Sequence, residues 1–395
     1  MNNIMLEADR ISADLSKLRR YLHANPEVGF AVEKSAKTVM CELEDIGLKP
    51  QKCGRAGIVA TIGRSESKKC VLLRADMDAL EISEKSGEEF ASENGKMHAC
   101  GHDMHTSMLL GAARLLKAHE PELDGQVMLV FQPAEEILEG AKDMLDSGLT
   151  ENKNIIAAIM LHVMTGVPID SGTAIVAPAG VSAPAAAMFE IKIQGKGCHG
   201  SMPEKGRDPI MTGAHIASAL CEINAREIAS SRKAALTLGC FNAGNSPNVI
   251  PDTATLKGSM RAFDMDVYEF MKQRIREICK GTADVFRTSA EVTFTSECPT
   301  LVNNAGLADN IHLYLTNLLG KDRAISASDM GEGSSGSEDF AYISHKIPSV
   351  MIALAAGDSR RGYLHPLHHP AVRFDESALP TGAAIYAYTA LKLLE

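Results

Sequence analysis

The run His98-Ala99-Cys100-Gly101-His102-Asp103-Met104-His105 is the densest chemical cluster in the chain. Gly101 lets the backbone turn so that Cys100 and His102 can converge, and a helix follows at once. A thiolate and an imidazole this close in sequence suit a transition metal. The same run also reads as a plain helix start, with Asp103 where an acid is favoured. Other parts of the chain supply complementary groups. Gln132-Pro133-Ala134-Glu135-Glu136 lies just past an apolar strand, His162 just past another, and His365, His368 and His369 in a loop after a third. In parallel α/β sheets, active groups gather beyond the carboxyl ends of the strands. Taken singly, adjacent glutamates are a solvated turn and a strand-end histidine is a packed core residue. Delivered together to one loop, they point to a site. His199, in a Gly-rich turn, reads on its own as a surface-loop histidine, and Arg261 as a strand arginine paired with an acid.

The elements that must position these groups follow from periodicity. Ile4, Ile11, Leu15, Leu18 and Leu22 recur at helical spacing until Asn25-Pro26, and a second helix runs roughly from Val32 to Ile46. Strands are expected at about Gly57–Ile62, Cys70–Ala75, Gln126–Phe131 and Ile155–Leu161, with a helix from about Asp103 to Lys117. Continuous apolar runs of this kind suit parallel strands buried on both faces, so the first part reads as an α/β layered domain. The character changes near Pro178-Ala179-Gly180. Phe189, Ile191 and Ile193 alternate with polar residues, a helix follows from about Asp208 to Ile228, then strands near 235–241 and 253–263 and a helix from about Asp266 to Lys280. That β-α-β-β-α-β order reads as a small antiparallel domain of the split-βαβ type. A buried strand (about 349–355) and a closing helix (about 376–394) return to the first pattern. The economical division is a catalytic domain in two segments, 1–181 and 295–395, interrupted by an inserted domain, 182–294.

Composition sets the outer bounds. At 395 residues the chain exceeds one compact core, and 45% apolar with 23% charged residues is ordinary for a globular protein. Forty basic against fifty acidic residues give a net charge of −10 with no basic stripe, which argues against nucleic acid as a partner. Nine cysteines without a disulfide-like rhythm, a first segment Met1 to Arg10 lacking an apolar core, and no run of about 18 apolar residues are expected of a reduced, cytoplasmic protein without membrane attachment.

Ordered blocks then carry a family resemblance. They are Arg19-Arg20-Tyr21-Leu22-His23-Ala24-Asn25-Pro26-Glu27, Leu73-Arg74-Ala75-Asp76-Met77-Asp78-Ala79-Leu80, the His98–Asp103 run, Phe131-Gln132-Pro133-Ala134-Glu135-Glu136 and Leu161-His162-Val163. Gly197-Cys198-His199-Gly200-Ser201-Met202-Pro203, Asn248-Val249-Ile250-Pro251-Asp252, Ser337-Glu338-Asp339-Phe340 and Leu367-His368-His369-Pro370 complete them. The chain resembles the aminoacylase and carboxypeptidase-like metalloamidohydrolases, in the branch of hippurate hydrolases and auxin–amino acid conjugate hydrolases, nearly end to end.

The resemblance implies a three-layer α/β catalytic domain with a mainly parallel central sheet, interrupted by a ferredoxin-like α+β lid that also dimerises. It implies two divalent metal ions per subunit, with manganese, zinc, cobalt and nickel not distinguished. Cys100, His102, Glu136, His162 and His368 match the ligands, with the Cys100 thiolate as bridge. Glu135 matches the general base that serves a metal-activated water, and the expected reaction is hydrolysis of the amide of a small N-acyl-amino acid. His199 matches an oxyanion donor, in some relatives supplied across a dimer interface. Asn248 and Arg261 match substrate contacts, Arg261 as a bidentate fork for a carboxylate. Asp78 and Asp103 are candidate acids that orient metal ligands, or simple capping residues. His23, His105, His119 and His345 are left as structural. Glu204 stands where relatives of this branch often carry His, and residues 331–336 are unusually Gly/Ser-rich, which bears on substrate preference. A dipeptidase or N-carbamoyl-amino acid hydrolase with the same metals is the alternative, and a catalytically silent binding protein of the same fold is the other. Glu135 speaks against silence, and Cys100 in the ligand set speaks against a dipeptidase.

Overall fold

The computed structural model describes residues 3–64, 69–151, 154–327 and 336–395. Two compact units are present. The first runs to Ser182 and resumes at Val302. It opens with helices α1 (Ile4–Arg10), α2 (Ser12–Ala24) and α3 (Glu33–Asp45). Strands β1 (Gln51–Cys53), β2 (Gly57–Gly63) and β3 (Cys70–Asp76) precede α4 (His102–Ala118) and β4 (Gln126–Gln132). Then come α5 (Gly140–Asp146), β5 (Ile155–Met164), β6 (Ala174–Val176) and β7 (Gly180–Ala183). The second unit spans Ala183–Leu301 and includes Ser337. It holds β8 (Ala185–Gln194), β9 (Cys198–His199), α6 (Pro209–Glu222), β10 (Ala234–Ala243), β11 (Val249–Ile250), β12 (Thr253–Ala262), α7 (Met265–Phe286) and β13 (Ser289–Cys298). After β14 (Leu301–Asn303) the first unit closes with α8 (Ala305–Leu319), β15 (Ala324–Ser326), α9 (Ala341–Ser344), β16 (Ser349–Ala355) and α10 (Ala378–Leu394).

The large sheet of the first unit has the order β1-β2-β4-β3-β5-β16-β6-β15. The central strands β4, β3, β5 and β16 are mutually parallel, and β6 and β15 form a second parallel pair. The pairs β1–β2, β2–β4 and β6–β16 are antiparallel, so the sheet is mixed, where a mainly parallel one was expected. The flanking strands β1, β6 and β15 are three residues each, too short to leave a period in the sequence. The centre was readable because β3 is buried at every position and β4 at nearly every one.

Two apolar helices cover this centre. α4 and α10 are buried along almost their whole lengths and pack on each other. A Cβ at Gly382 would lie 2.2 Å from Met108 Sδ, so the close approach needs glycine there. The expected single N-terminal helix is two, broken at Ile11. The break lets α1 pack on α10 while α2 packs on α4. Asn304 caps α8, a helix the sequence reading did not anticipate, by accepting from Leu307 N at 3.0 Å.

In the second unit the sheet order is β10-β12-β8-β13, antiparallel throughout, with α6 and α7 packed on it. Phe189, Ile191 and Ile193 face the buried side while Met188 and Lys192 are exposed, which is the alternation a one-sided sheet requires. Asp208 and Asp264 cap the two helices. The expected boundary at 294 falls short, because β13 runs on to Cys298 and the unit to Leu301. The expected helix to Ile228 ends at Glu222 and continues as a wider π turn through Glu227. Among the described residues no helix is long and apolar enough to cross a membrane. The nine cysteines are all free thiols.

Candidate metal centre

Parallel strands end at the same side of a sheet, and the site is built there. β3 leads into Asp76 and Asp78, β4 into Glu135 and Glu136, and β5 carries His162 near its end. Gly101, at φ +85°, turns the chain sharply between Cys100 and the first residue of α4, His102. A Cβ at Gly101 would also fall 2.4 Å from Val163 Cγ2, so both backbone and space demand glycine. His368 adopts φ +65°, uncommon for a non-glycine residue, with its N–H donating to Ala99 O at 2.9 Å.

The five residues expected to bind metal come together. Cys100 Sγ lies 3.5 Å from His162 Nε2, His102 Nε2 3.8 Å from Glu136 Oε1, and His368 Nε2 3.6 Å from Glu136 Oε1. Among the groups of donor atoms close enough to hold an ion are two triads, Cys100–His102–His162 and Cys100–Glu136–His368, which share the thiol, while Glu135 groups with His102 and Glu136 and with Glu338 and Asp339. Ligands at 2.0–2.3 Å around a tetrahedral ion stand about 3.3–3.8 Å apart, and the two separations that lie within one triad, Cys100–His162 and Glu136–His368, match.

The tautomers can be assigned from the partners. His102 Nδ1 is 2.8 Å from Asp78 O and His162 Nδ1 2.7 Å from Val163 O. A carbonyl only accepts, so both rings carry their proton on Nδ1 and turn the Nε2 lone pair to the centre. Asp78 does more. Its carboxylate accepts the N–H of Glu135 at 3.0 Å and of Glu136 at 3.2 Å, fixing the two glutamates by their backbone.

The arrangement fits divalent cations on two counts. His102 Nε2 and Glu136 Oε1 are buried without a hydrogen-bond partner, and such atoms are costly unless something unseen binds them. Asp76, Glu338 and Asp339 also share the one buried guanidinium of Arg74, and Asp78, Glu135 and Glu136 lie together beside His102. Burial, then Asp78 and Asp76, push Glu136 up to about 7, against the pull of His102. Burial, then Glu338 and Glu136, push Glu135 well above the usual carboxylate range. Burial likewise raises the Cys100 thiol. Burial thus favours the protonated forms of Glu135, Glu136 and Cys100, and a bound cation would displace those protons.

Several placements differ from the sequence reading. Asp103 does not orient a metal ligand. It accepts from Arg19 Nε at 2.7 Å and lies 2.8 Å from His23 Nδ1, whose Nε2 is 3.0 Å from Glu84. Successive helical residues point about 100° apart, so the residue after His102 faces α2 instead. His105, taken as structural, is wired to the centre. Its Nε2 accepts from Val163 N at 2.8 Å and its Nδ1 meets Asp76 at 2.6 Å, while Asp76 lies 3.8 Å from His102 Nε2. Arg74, Asp76 and Asp339 lie within the sequence blocks that carry the family resemblance. They gave no sign of a role because the contact from Arg74 to Asp339 spans 265 residues of sequence. His365 and His369 stack on each other at 4.1 Å and belong to neither triad.

His199, Asn248 and Arg261 lie in the second unit. β9 pairs with β11, His199 opposite Val249, and Gly200 N donates to Asn248 O at 2.8 Å, so Asn248, in the turn just before β11, lies close to His199. His199 Nδ1 accepts from Ser201 N at 3.2 Å, which leaves the proton on an exposed ring's Nε2. Arg261 Nη1 donates to Ser337 Oγ at 2.9 Å. Glu204 is exposed, and the Gly/Ser-rich stretch 331–336 lies, but for Gly336, outside the described residues.

Comparison with known proteins adds the following. The sequence profile of peptidase family M20/M25/M40 matches residues 72–392. IAA-amino acid hydrolase ILR1-like 2 of Arabidopsis thaliana is 38% identical over 385 residues, 96% of this chain and 85% of that protein. N-acetylcysteine deacetylase of Bacillus subtilis is 34% identical over 387 residues, 96% of this chain and 97% of that protein. The crystal structure of the Bacillus subtilis YXEP protein, described as a dinuclear metal binding peptidase, superposes with a TM-score of 0.79. It is 30% identical and covers 98% of this chain and 99% of that one.

Proposed function

This chain belongs to peptidase family M20/M25/M40, and from that premise we propose that it hydrolyses the amide bond of N-acyl-amino acids with two divalent metal ions. The observation that carries this reading is the pair of donor triads sharing Cys100, with Glu135 beside them outside both. Cys100, His102 and His162 would hold one ion and Cys100, Glu136 and His368 the other. When bound, such ions lower the pKa of a water and polarise an amide carbonyl.

The chain's own residues do the rest. Glu135 takes the proton of the attacking water and returns it to the leaving amine. Burial beside Glu338 and Glu136 raises its affinity for protons, which suits a group that must take one up. Asp78 keeps Glu135 and Glu136 apart in role by holding both backbones. Nε2–H of His199 supplies a donor to the oxyanion, Asn248 contacts the substrate amide, and Arg261 takes its carboxylate. The second unit serves as the lid and as the dimer contact. Its edge strand β10 exposes Phe241, and pairing it with a second copy would cover that edge. A reducing compartment, the cytoplasm, suits the exposed thiols of Cys41, Cys221 and Cys240.

A dipeptidase is the second reading, supported by the description of the YXEP protein as a peptidase. A panel of hippurate, N-acetyl-amino acids, N-carbamoyl-amino acids and dipeptides, with manganese or zinc added, separates them. Acyl substrates are expected to be cleaved with the highest kcat/KM. Dipeptides cleaved faster than every acyl substrate would overturn the assignment. For the shared site, mixing His199→Ala with Glu135→Gln protein after proven subunit exchange is expected to restore activity that neither has alone. No recovery would mean that His199 serves its own chain or none.

A further inference from the structure

The loop that carries Glu135 and Glu136 is gripped at both stems by one carboxylate from a distant part of the chain. Asp339 is fully buried. Its two oxygens accept from Gln132 Nε2 at 2.7 and 2.9 Å, at the end of β4. Its Oδ2 also accepts the backbone N–H of Ala141 at 2.9 Å, in the first turn of α5. Arg74 locks this geometry. It donates from Nη2 to Asp339 at 3.0 Å and from Nε to Gln132 Oε1 at 2.9 Å, so the amide of Gln132 is held in one orientation.

Between those stems the chain makes a tight excursion. Ala134 and Leu138 both lie in the left-handed region, at φ +57° and +59°. Non-glycine residues hold such angles only where the surroundings over-determine them. The stems also meet closely, since a Cβ at Gly140 would fall 1.6 Å from Pro133 O. Asp78 fixes the tip of this loop through the N–H groups of Glu135 and Glu136, and the base needs an equally firm anchor.

We propose that Asp339 is the positioning residue of this loop, setting the distance of Glu135 and Glu136 from the other donors by tying Gln132 to Ala141. It belongs to neither of the triads that share Cys100, and it acts on the loop through its bonds to Gln132 and Ala141. The inference rests on the roles given above to Glu135 and Glu136.

The test compares Asp339→Asn and Asp339→Ala with the unsubstituted, metal-loaded protein. Three quantities are measured: hydrogen exchange across residues 132–141, metal affinity by chelator competition, and kcat and KM on the fastest panel substrate. Expected are faster exchange confined to 132–141 with α4 and α10 unchanged, and losses of roughly 10- to 100-fold in metal affinity and kcat, the usual scale for groups that orient ligands. KM is expected to stay within roughly threefold, since substrate contacts are untouched. Should Asp339→Ala fail to fold, Asp339→Asn decides, because it keeps the shape and one acceptor. Unchanged exchange at 132–141 overturns the proposal. So does faster exchange with metal affinity and kcat left intact, and so does a uniform rise that includes α4 and α10. If the unsubstituted protein cleaves nothing in the panel, the functional reading fails, and exchange with metal affinity still decides the role of Asp339.

Discussion

Replacing Asp78 by Asn isolates the contribution of one carboxylate to one half of the metal centre. Asp78 accepts two backbone N–H groups, from Glu135 and Glu136, at 3.0 and 3.2 Å. An asparagine can accept only one of them, and its amide nitrogen then faces the other N–H, donor against donor. The loss is one hydrogen bond to a charged acceptor plus one buried orphan donor, about 2–3 kcal/mol together. If that cost falls on the loop, affinity for the ion held by Glu136 should drop roughly 30- to 150-fold. The other triad should be spared. His102 is oriented by the backbone carbonyl of Asp78, which the substitution leaves in place. Stepwise chelator competition, followed by metal analysis, therefore predicts one weakened ion and one retained. Two ions bound as tightly as in the unsubstituted protein, or two lost in parallel, would refute the reasoning.

Glu135→Gln keeps the size of the side chain and loses the base, so turnover should fall roughly 10²-fold or more while metal content stays the same. Glu136→Gln should lose metal, and the reverse pattern would exchange the two roles. Cys100→Ala removes the donor common to both triads, and metal analysis should find both ions weakened. Acid stability should follow the buried His23 network. Beside His23, with Ser86 and Ser92 donating, Glu84 is held well below the usual carboxylate range, and Asp103 is lowered beside Arg19 and His23. Groups with depressed values stabilise the fold above their unfolded pKa, and that stability is lost as pH falls through the folded value. Denaturation midpoints should therefore drop as pH goes from about 4.5 to 2, and Glu84→Gln should flatten that slope.

How much of this was legible in the sequence depended on how local the signal was. Strands β3, β4 and β5 showed themselves as apolar runs because both faces are buried, and their shared end was where chemistry was to be expected. The short flanking strands did not, nor did the antiparallel pairings they make. Cys100, His102, Glu135, Glu136 and His162 stood out because each lies at or just past a strand end or at a helix start, His368 because it lies in a His-rich loop after β16, and the family resemblance gave them their roles. Asp103 misled because adjacency in sequence is not adjacency on a helix. Asp339 and Arg74 stayed invisible as actors, since what matters about them is a contact between the two segments of the first unit, on either side of the second.

The central claim is that amide hydrolysis here depends on two metal ions shared through Cys100. Activity on an N-acyl-amino acid, followed while chelator-stripped protein is titrated with manganese or zinc, tests it most directly. The account predicts no turnover without metal and a rise that levels off at two equivalents per chain. Full turnover by the stripped protein, at verified zero metal content, would contradict it.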